Sequence, residues 1–329
     1  MQSLLRAAMA ATLTATTLAV ATAAQAAGPS SQIVIPGEKI TPESLTSTAD
    51  GHVIFGSLGP RIIWRAMPGA ATAEAWIQPG TDGMQSIFGV FADDKTNTLY
   101  ACSGSTGAPA PGSTPVPSTL HLFDLKSGAP KAKYPVPGAG GFCNDIAVDA
   151  KGNAYITDTN NMQIDKLAKG GSQLEVWAGA DGALGPKGGI LDGIAVLGNR
   201  VVVNALAVSK LFAVPIGKDG KAGAPVEIKT DRKIDRPDGM RSFGSKQLLI
   251  AEGGGAGRLT RLTISGDTGK AVTLKEGFPD GPVAVTVVGM TAYVLEGQLA
   301  AMRAPPPAPG AAPVAAKPYK ATAVAVGKP

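Results

Sequence analysis

Short runs of alternating apolar and polar residues, each broken by a tight turn, recur along most of this chain. One such stretch is NDIAVDAKGNAYITD, which begins at Asn144 and places a Gly-containing turn between two alternating runs. Alternation with a period of two is typical of β-strands with one buried face, and two such runs around a short Gly, Asp or Asn turn predict a β-hairpin. No segment shows a sustained helical period, so the pattern predicts an all-β protein.

The hairpin pattern occurs six times. The other copies are ESLTSTADGHVIFGS from Glu43, SIFGVFADDKTNTLYACSG from Ser86, DGIAVLGNRVVVNA from Asp192, DGMRSFGSKQLLIAE from Asp238 and PVAVTVVGMTAYVLE from Pro282. The turn glycines Gly152, Gly198, Gly244 and Gly289 are separated by 46, 46 and 45 residues, which indicates a structural repeat. Each hairpin is followed by one or two further strand-like runs. Four strands in each of six units predict a six-bladed β-propeller with four-stranded blades.

The first 26 residues differ from the rest of the chain. They carry one charge, Arg6, and then an uncharged Ala/Thr/Leu run that ends in the small-residue motif at residues 24–26. This arrangement is typical of a secretory signal peptide, so we expect the mature protein in the periplasm or outside the cell. The alternative is a membrane anchor, for which the run is barely apolar enough.

The repeat also sets the other boundaries. We assign residues 27–37 to an N-terminal segment, 38–303 to the propeller, and 304–329 to a Pro/Ala-rich tether followed by a strand. Residues 319–326 are expected to form the outer strand of the last blade, with residues 32–35 (QIVI) alongside it or capping it. The alternative for the C-terminal residues is a disordered tail.

Composition and charge exclude several classes of function. Of 329 residues, 44% are hydrophobic, with 43 Gly and 26 Pro, which suits a folded protein with many turns. The formal charge is +5, but the basic residues are scattered and no aromatic-interleaved basic patch predicts nucleic-acid binding. After residue 26, no uncharged apolar stretch is long enough to span a membrane.

In a propeller the innermost strand of each blade starts at the mouth of the central channel, so residues at its start converge from all blades. Glu43 and Asn144 lie 8 residues before their turn glycines, and Asp192 and Asp238 lie 6 before theirs. The difference of two keeps all four side chains on the same strand face. Blades 2 and 6 offer Ile87 or Phe88 and Pro282 or Val283 at this position.

Four oxygen-bearing side chains at one point predict a cation site. Carboxylates so close together repel unless a proton or a cation is present. All-oxygen ligands suit a hard divalent cation, with Ca²⁺ ahead of Mg²⁺. The alternative is that the Asp-Gly and Asn-Asp pairs only form turns between blades, and Asp145 is assigned to such a turn.

The ends of the second strands predict a polar pocket rim that suits a hydroxylated substrate. The rim residues are Ser57, Ser103, Asp158, Asn204, Glu252 and Glu296. Their alternative role is to satisfy backbone groups in turns. An insertion at residues 104–119 joins the second and third strands of blade 2, on the pocket face, as a lid or as a loop without a role.

The two cysteines fall on neighbouring blades at the same face. Cys102 ends the second strand of blade 2 and Cys143 begins the first strand of blade 3. A disulfide between them is geometrically feasible, and two buried free thiols are the alternative.

The blade-start motifs PES, FCND, LDG and RPDG resemble those of the senescence marker protein, gluconolactonase and luciferin-regenerating-enzyme-like family, relatives of the paraoxonases and strictosidine synthases. The resemblance covers roughly residues 38–300 and implies that Glu43, Asn144, Asp192 and Asp238 hold a catalytic Ca²⁺. The family has Asn where this chain has Asp192, and its first-blade Glu is usually followed by Gly-Pro. The catalytic His of the paraoxonases has no counterpart here.

The resemblance further implies a hydrolase that acts on a small-molecule lactone or other ester. The cation would polarise the carbonyl, and Asp238, or alternatively Asp192, would be the general base. Two other hypotheses remain: a non-catalytic propeller that binds a ligand or a protein, and a strictosidine-synthase-like or lyase propeller.

Overall fold

The computed structural model describes residues 30–107, 116–179, 181–303 and 317–329. The predicted signal peptide at residues 1–26 and the Pro/Ala tract that begins at residue 304 lie outside the described residues, as do residues 108–115 of the insertion. The described part is almost entirely β-structure in six antiparallel blades. The predicted fold, an all-β six-bladed propeller with four-stranded blades, is confirmed.

The strands follow the repeat seen in the sequence. The N-terminal strand is β1 (Gln32–Ile35), and blade 1 comprises β2 (Pro42–Ser47), β3 (Val53–Ser57), β4 (Ile63–Ala66) and β5 (Glu74–Ile77). Blade 2 comprises β6 (Ser86–Asp93), β7 (Thr98–Gly104), β8 (Thr119–Asp124) and β9 (Pro130–Pro135). Blade 3 comprises β10 (Cys143–Val148), β11 (Ala154–Asp158), β12 (Gln163–Leu167) and β13 (Leu174–Ala178).

The second half of the ring repeats this order with one addition. Blade 4 comprises β14 (Leu191–Leu197), β15 (Arg200–Ala205), β16 (Lys210–Pro215) and β17 (Val226–Glu227). A two-residue strand, β18 (Lys229–Thr230), pairs in parallel with the outer strand of blade 5, which comprises β19 (Pro237–Phe243), β20 (Gln247–Glu252), β21 (Arg258–Ser265) and β22 (Thr268–Glu276). Blade 6 comprises β23 (Pro282–Val288), β24 (Thr291–Glu296), β25 (Tyr319–Ala325) and β1. The helical elements are α1 (Leu299–Arg303) and the 3₁₀ turns Thr81–Gly83 and Leu206–Val208.

The two ends of the chain complete blade 6 together. The C-terminal strand β25 pairs with β24 on one side and with β1 on the other, so β1 is the outermost strand. The sequence predicted a strand at residues 319–326 with residues 32–35 alongside it or capping it. Residues 32–35 do lie alongside, so β25 is the third strand of the blade and not the outermost one. The propeller therefore extends beyond the range 38–303 at both ends, since a sheet edge left unpaired is unfavourable.

The hydrophobic core lies between neighbouring blades. Ile54, Ile63 and Ile77 of blade 1, for example, pack in one cluster with Ile87 and Phe123 of blade 2. Blades 6 and 1 meet in the same way, and Ser47 Oγ donates to the carbonyl oxygen of Val287 over 2.8 Å at this junction. The six inner strands thus form a closed ring around a central axis.

Within the described residues, none of the helical segments has both the length and the apolar character needed to cross a membrane.

Candidate metal centre

A β-bulge interrupts every inner strand close to its start. The pairing with the second strand skips one or two residues in each blade: Glu43, Phe88-Gly89, Asn144-Asp145, Asp192-Gly193, Asp238-Gly239 and Val283. A bulge turns a side chain away from the regular alternation of the strand. We call the first skipped residue of each blade its ring position. Phe88 and Val283, rather than Ile87 and Pro282, therefore occupy the ring positions of blades 2 and 6.

Three glycines allow the ring positions to approach one another. A Cβ atom on Gly89 would lie 2.3 Å from the carbonyl oxygen of Asn144, and one on Gly193 would lie 2.4 Å from that of Asp238. A Cβ on Gly239 would lie 2.8 Å from the carbonyl oxygen of Val283. These distances are shorter than van der Waals contact, so each glycine makes room for the next blade.

The three carboxylates at ring positions converge. Glu43, Asp192 and Asp238 each offer one oxygen atom, and these atoms lie within 4.8 Å of one another. Their residues are only 8%, 7% and 9% exposed, so water screens the charges poorly. Asp238 Oδ1 accepts a hydrogen bond from its neighbour Gly239 N–H over 3.0 Å.

Burial and mutual repulsion dominate the electrostatics of this cluster. Burial raises the pKa of Glu43 well above its usual value, and the charges of Asp192 and Asp145 raise it further. The pKa of Asp238 is raised for the same reasons, burial first and then Asp192 and Glu43. Burial, and then the charge of Asp145, raise the pKa of Asp192 to about 7, although the neighbouring Asp238 and Asn144 side chains partly offset the effect. Protons or a cation must therefore compensate the cluster at neutral pH.

Asn144 adds a fourth oxygen. Its side chain is buried, its Nδ2 donates to Thr159 Oγ1 over 3.1 Å, and its amide lies beside the carboxylate of Asp192. Its Oδ1 has no hydrogen-bond partner among the described residues. Buried polar atoms are rarely left unpaired, so this oxygen calls for a partner such as a cation. The donor set of three carboxylates and one amide oxygen fits a hard divalent cation.

The structure thus brings together all four residues that the sequence predicted as ligands, and it corrects the role of Asp145. The sequence assigned Asp145 to a turn, but it lies inside β10 and is 4% exposed. Its carboxylate forms an ion pair with Arg241, with an Arg241 Nη1 to Asp145 Oδ2 distance of 2.9 Å. This pair was not predictable from local sequence patterns, because its two residues lie 96 positions apart in different blades.

Arg241 binds several blades at once. Its Nη2 donates to the carbonyl oxygens of Leu45 in blade 1, over 3.2 Å, and Val90 in blade 2, over 3.0 Å. Its Nη1 donates to the carbonyl oxygen of Met240 in its own blade, and the ion pair reaches blade 3. The guanidinium group also partly offsets the negative charge beside it, since it lowers the pKa of Glu43. The sequence signal for this role was a second charged residue, besides Asp238, in the inner strand PDGMRSF.

The residues predicted to form a polar rim are buried. All six residues lie at the expected strand ends, but each is at most 2% exposed. Three of them accept hydrogen bonds inside the protein: Asp158 accepts from Phe142 N–H, Glu252 from Asp235 N–H, and Glu296 from Asp280 N–H. These three bonds correspond to the alternative role, since in each case the loop that enters the blade supplies an N–H group that needs an acceptor.

Ser57, Ser103 and Asn204 also bond to backbone groups, although Asn204 Oδ1 has no partner among the described residues. Ser57 Oγ bonds to the backbone of Ile62, and Ser103 Oγ accepts from Gln85 N–H. Asn204 Nδ2 donates to the carbonyl oxygen of Asp238 over 2.6 Å, which fixes the backbone at that ring position.

The blade 2 ring position carries an aromatic residue, which pairs with a second aromatic side chain. Phe88 packs edge-on against Phe142, with 4.6 Å between the ring centroids, and both side chains are partly exposed. Beside them, Cys102 and Cys143 are joined in a disulfide, with 5.2 Å between their Cα atoms. The bond links the second strand of blade 2 to the inner strand that carries Asn144.

Both histidines of the chain lie away from the ring positions. His52 follows the turn of the blade 1 hairpin, and its Nδ1 lies 2.8 Å from Asp50 Oδ1. His121 lies in β8, with its Nδ1 3.3 Å from Asp82 Oδ2. Neither forms part of the acidic cluster.

Comparison with known proteins identifies the fold. The sequence matches no model of a known protein family and no curated protein. Among solved structures, a gluconolactonase from Xanthomonas campestris superposes with a TM-score of 0.59 at 14% identity, over 87% of this chain and 86% of that chain. A luciferin-regenerating enzyme superposes with a TM-score of 0.58 at 10% identity, over 88% of this chain and 94% of that chain.

The resemblance to the gluconolactonase and luciferin-regenerating-enzyme family is confirmed at the level of the fold. Other propellers share this fold. A catalytically inactive histidine-to-alanine variant of virginiamycin B lyase from Staphylococcus aureus superposes with a TM-score of 0.55 at 16% identity, over 80% of each chain. At such identities the likeness concerns architecture alone, so the chemistry has to be argued from the residues.

Proposed function

We propose that this protein is a secreted hydrolase that uses a divalent cation, Ca²⁺ first, to cleave a lactone or another ester. The observation that carries the proposal is the convergence of Glu43, Asp192 and Asp238 beside Asn144 Oδ1, which has no hydrogen-bond partner in the described part of the chain. This donor set lies on a fold that the chain shares with a gluconolactonase and a luciferin-regenerating enzyme.

Each residue has a distinct part in this mechanism. Glu43, Asn144, Asp192 and Asp238 would hold the cation. When bound, the cation would act as a Lewis acid on the carbonyl oxygen. Asp238 is our choice of general base, because Gly239 N–H already binds its Oδ1 and leaves Oδ2 to accept a proton from water. Asp192 is the alternative base.

The wall of the site favours a substrate with an apolar part. The predicted rim is buried and occupied by backbone donors, so it offers little to a polyhydroxylated substrate. The partly exposed Phe88 lies at the blade 2 ring position. Phe142, which is also partly exposed, packs against it from just before the inner strand of blade 3. We therefore propose an alkyl or aryl lactone or ester ahead of a sugar lactone.

Two observations support secretion. The sequence of residues 1–26 has the features of a signal peptide. The Cys102–Cys143 disulfide is a bond that persists in oxidising compartments and is rare in reducing ones.

A lyase reaction is less well supported. The inactive lyase variant lacks a histidine, whereas His52 and His121 of this chain both lie away from the acidic cluster. The same cation site in a non-catalytic binding protein is the second hypothesis, and the experiment below separates it from the hydrolase.

The test combines metal analysis with hydrolysis of two lactones, glucono-δ-lactone and dihydrocoumarin. We expect bound Ca²⁺, hydrolysis that stops after chelation, and a preference for the aryl lactone. Asp238→Asn should lower kcat by about 100-fold or more, the usual range for loss of a general base. The exposed Asp219→Asn, which makes the same chemical change elsewhere, is the matched control.

Turnover that survives both chelation and Asp238→Asn would contradict the mechanism. Bound Ca²⁺ with no turnover of either lactone would support the binding-protein hypothesis. A preference for the sugar lactone would contradict the proposed role of Phe88 while leaving the hydrolase intact.

A further inference from the structure

Thr159 bridges the candidate metal centre and the next blade. It follows directly after β11, and its Oγ1 lies 3.1 Å from Asn144 Nδ2 and 2.6 Å from the carbonyl oxygen of Leu191. One hydroxyl group thus contacts the ring residue of blade 3 and the residue immediately before the ring residue of blade 4.

The proton count of this hydroxyl fixes the direction of both hydrogen bonds. A hydroxyl has one hydrogen to donate, and a carbonyl oxygen can only accept. Thr159 must therefore donate its hydrogen to Leu191, which leaves it only acceptor capacity towards Asn144. The Asn144 atom that faces it must then be the NH₂ group, because an amide oxygen there would meet lone pairs.

The orientation of the Asn144 amide decides whether the site can bind a cation. With Nδ2 held by Thr159, Oδ1 remains as a buried acceptor without a partner among the described residues. In the flipped orientation the NH₂ group would take the place of Oδ1, and a group with two hydrogen-bond donors repels a cation. Amide orientation usually has to be assigned from the surrounding network, and here the network permits one orientation.

We infer that Thr159 is a positioning residue, which holds the Asn144 amide so that its oxygen is available to a divalent cation. The inference rests on the cation site of the proposed function, but not on the hydrolytic reaction. Partners that orient a metal ligand typically change metal affinity by about 10- to 100-fold when they are removed.

The neighbouring Thr157 provides a matched control. Its Oγ1 accepts from Asp145 N–H over 3.0 Å and donates to the carbonyl oxygen of Asp192 over 2.7 Å. It therefore makes the same two kinds of hydrogen bond to the same two blades. Its acceptor bond, however, is with a backbone N–H group, so it orients no side-chain amide.

The experiment is calorimetric titration of the full mature chain with Ca²⁺. Thr159→Val should weaken Ca²⁺ binding by about 10- to 100-fold, because it removes the acceptor that fixes the amide. Thr159→Ser keeps the hydroxyl and should bind Ca²⁺ within about threefold of the native protein. Thr157→Val should also stay within about threefold, although it loses the same number of hydrogen bonds.

A second background separates amide orientation from a general structural effect. Asn144→Asp presents an oxygen in either orientation of its side chain, so Thr159→Val should weaken Ca²⁺ binding by less than about threefold in that background. Equal losses in both backgrounds would overturn the inference. Circular dichroism checks folding, and Thr159→Ala replaces Thr159→Val if the valine variant does not fold.

The remaining outcomes are also decisive. Native-like Ca²⁺ binding by Thr159→Val, or equal losses for Thr159→Ser and Thr159→Val, would overturn the role of Thr159. A native protein that binds no Ca²⁺ would remove the cation site and the inference together. Ca²⁺ binding that depends on Thr159 but occurs without lactone hydrolysis would support the inference and contradict only the hydrolase.

Discussion

At the scale of single residues, blade 3 holds a second pair of buried acids outside the candidate metal centre. Asp158 and Asp165 are both fully buried, and Gln163 Nε2 donates to Asp165 Oδ1 over 2.9 Å and to Asp158 Oδ2 over 3.4 Å. Burial, reinforced by the charge of Asp158, raises the pKa of Asp165 to about 8, although Gln163 opposes the shift. Asp165 is therefore mainly protonated in the folded protein at neutral pH.

This raised pKa predicts a pH-dependent stability. Between about pH 4 and pH 8 the folded chain holds a proton that the unfolded chain releases, so rising pH destabilises the fold by up to about 1.4 kcal/mol per pH unit. Asp165→Asn removes this ionisation and should make the decline between pH 5 and pH 8 shallower; the remaining decline comes from the ring carboxylates, whose pKa values are also raised. Urea denaturation at pH 5 and at pH 8 measures the free energy of unfolding, with Asp219→Asn at an exposed position as the control. Parallel declines in the native and Asp165→Asn proteins would show that Asp165 ionises normally.

Residue-level chemistry was predictable from the sequence only where the repeat fixes it. The ring positions of Glu43, Asn144, Asp192 and Asp238 follow from their distance to the turn glycines, since hairpin register is local. The Arg241–Asp145 ion pair was not predictable, because no local pattern specifies which side chains meet across the axis. The buried rim was not predictable either, since alternation gives the strand end but not the path of the loop that covers it.

At the scale of elements, one covalent bond ties neighbouring blades together. The Cys102–Cys143 disulfide joins β7 to β10, and Ser118, at the far end of the insertion, accepts from Cys143 N–H over 3.0 Å and donates to the carbonyl oxygen of Ser103. The bond and the hydrogen bonds fix both strands close to Asn144. The sequence placed the two cysteines on adjacent blades but did not decide between a disulfide and two free thiols, because that depends on the distance between the blades.

The disulfide predicts a measurable share of the stability. The two cysteines are 41 residues apart, and closing a loop of that size in the unfolded chain corresponds to roughly 4 kcal/mol at most. Replacing both with Ala should therefore lower the free energy of unfolding by about 2 to 4 kcal/mol. Denaturant unfolding with and without dithiothreitol measures this. The reductant should destabilise the native protein and leave the double variant unchanged; an equal response of both would mean that the bond contributes nothing.

At the scale of the whole molecule, ring closure depends unequally on the two chain ends. Strand β25 lies between β24 and β1 and buries Tyr319, Ala321 and Val324. Strand β1 is the outermost strand and contributes Ile33 and Ile35 to the core. Loss of β25 also removes the strand with which β1 pairs along its whole length, and leaves β1 only the bridge between Val34 and residues 71–73 of blade 1. Loss of β1 breaks that bridge and exposes one edge of β25.

Deletions at the two ends should therefore differ in effect. Removing residues 317–329 should abolish cooperative unfolding, because blade 6 loses two of its four strands. Beginning the mature chain at residue 37 should leave a folded protein that is less stable by about 3 to 6 kcal/mol, the upper estimate for exposing two buried isoleucines. Urea denaturation followed by circular dichroism compares the two. Similar behaviour of both truncations would contradict the central place of β25.

The Arg241 side chain also bears on how freely the blades could be exchanged. Six similar units suggest a modular protein whose blades could be swapped, since each hairpin repeats the same pattern. At the register position of Arg241, however, blades 3 and 4 carry Ala147 and Ala195, which offer no charged group. Blade 5 thus supplies a guanidinium group that blades 1, 2 and 3 all bind. A propeller assembled from exchanged blades would need both Arg241 and Asp145 to keep these contacts. The modules resemble one another in their backbones but have become mutually dependent at the axis.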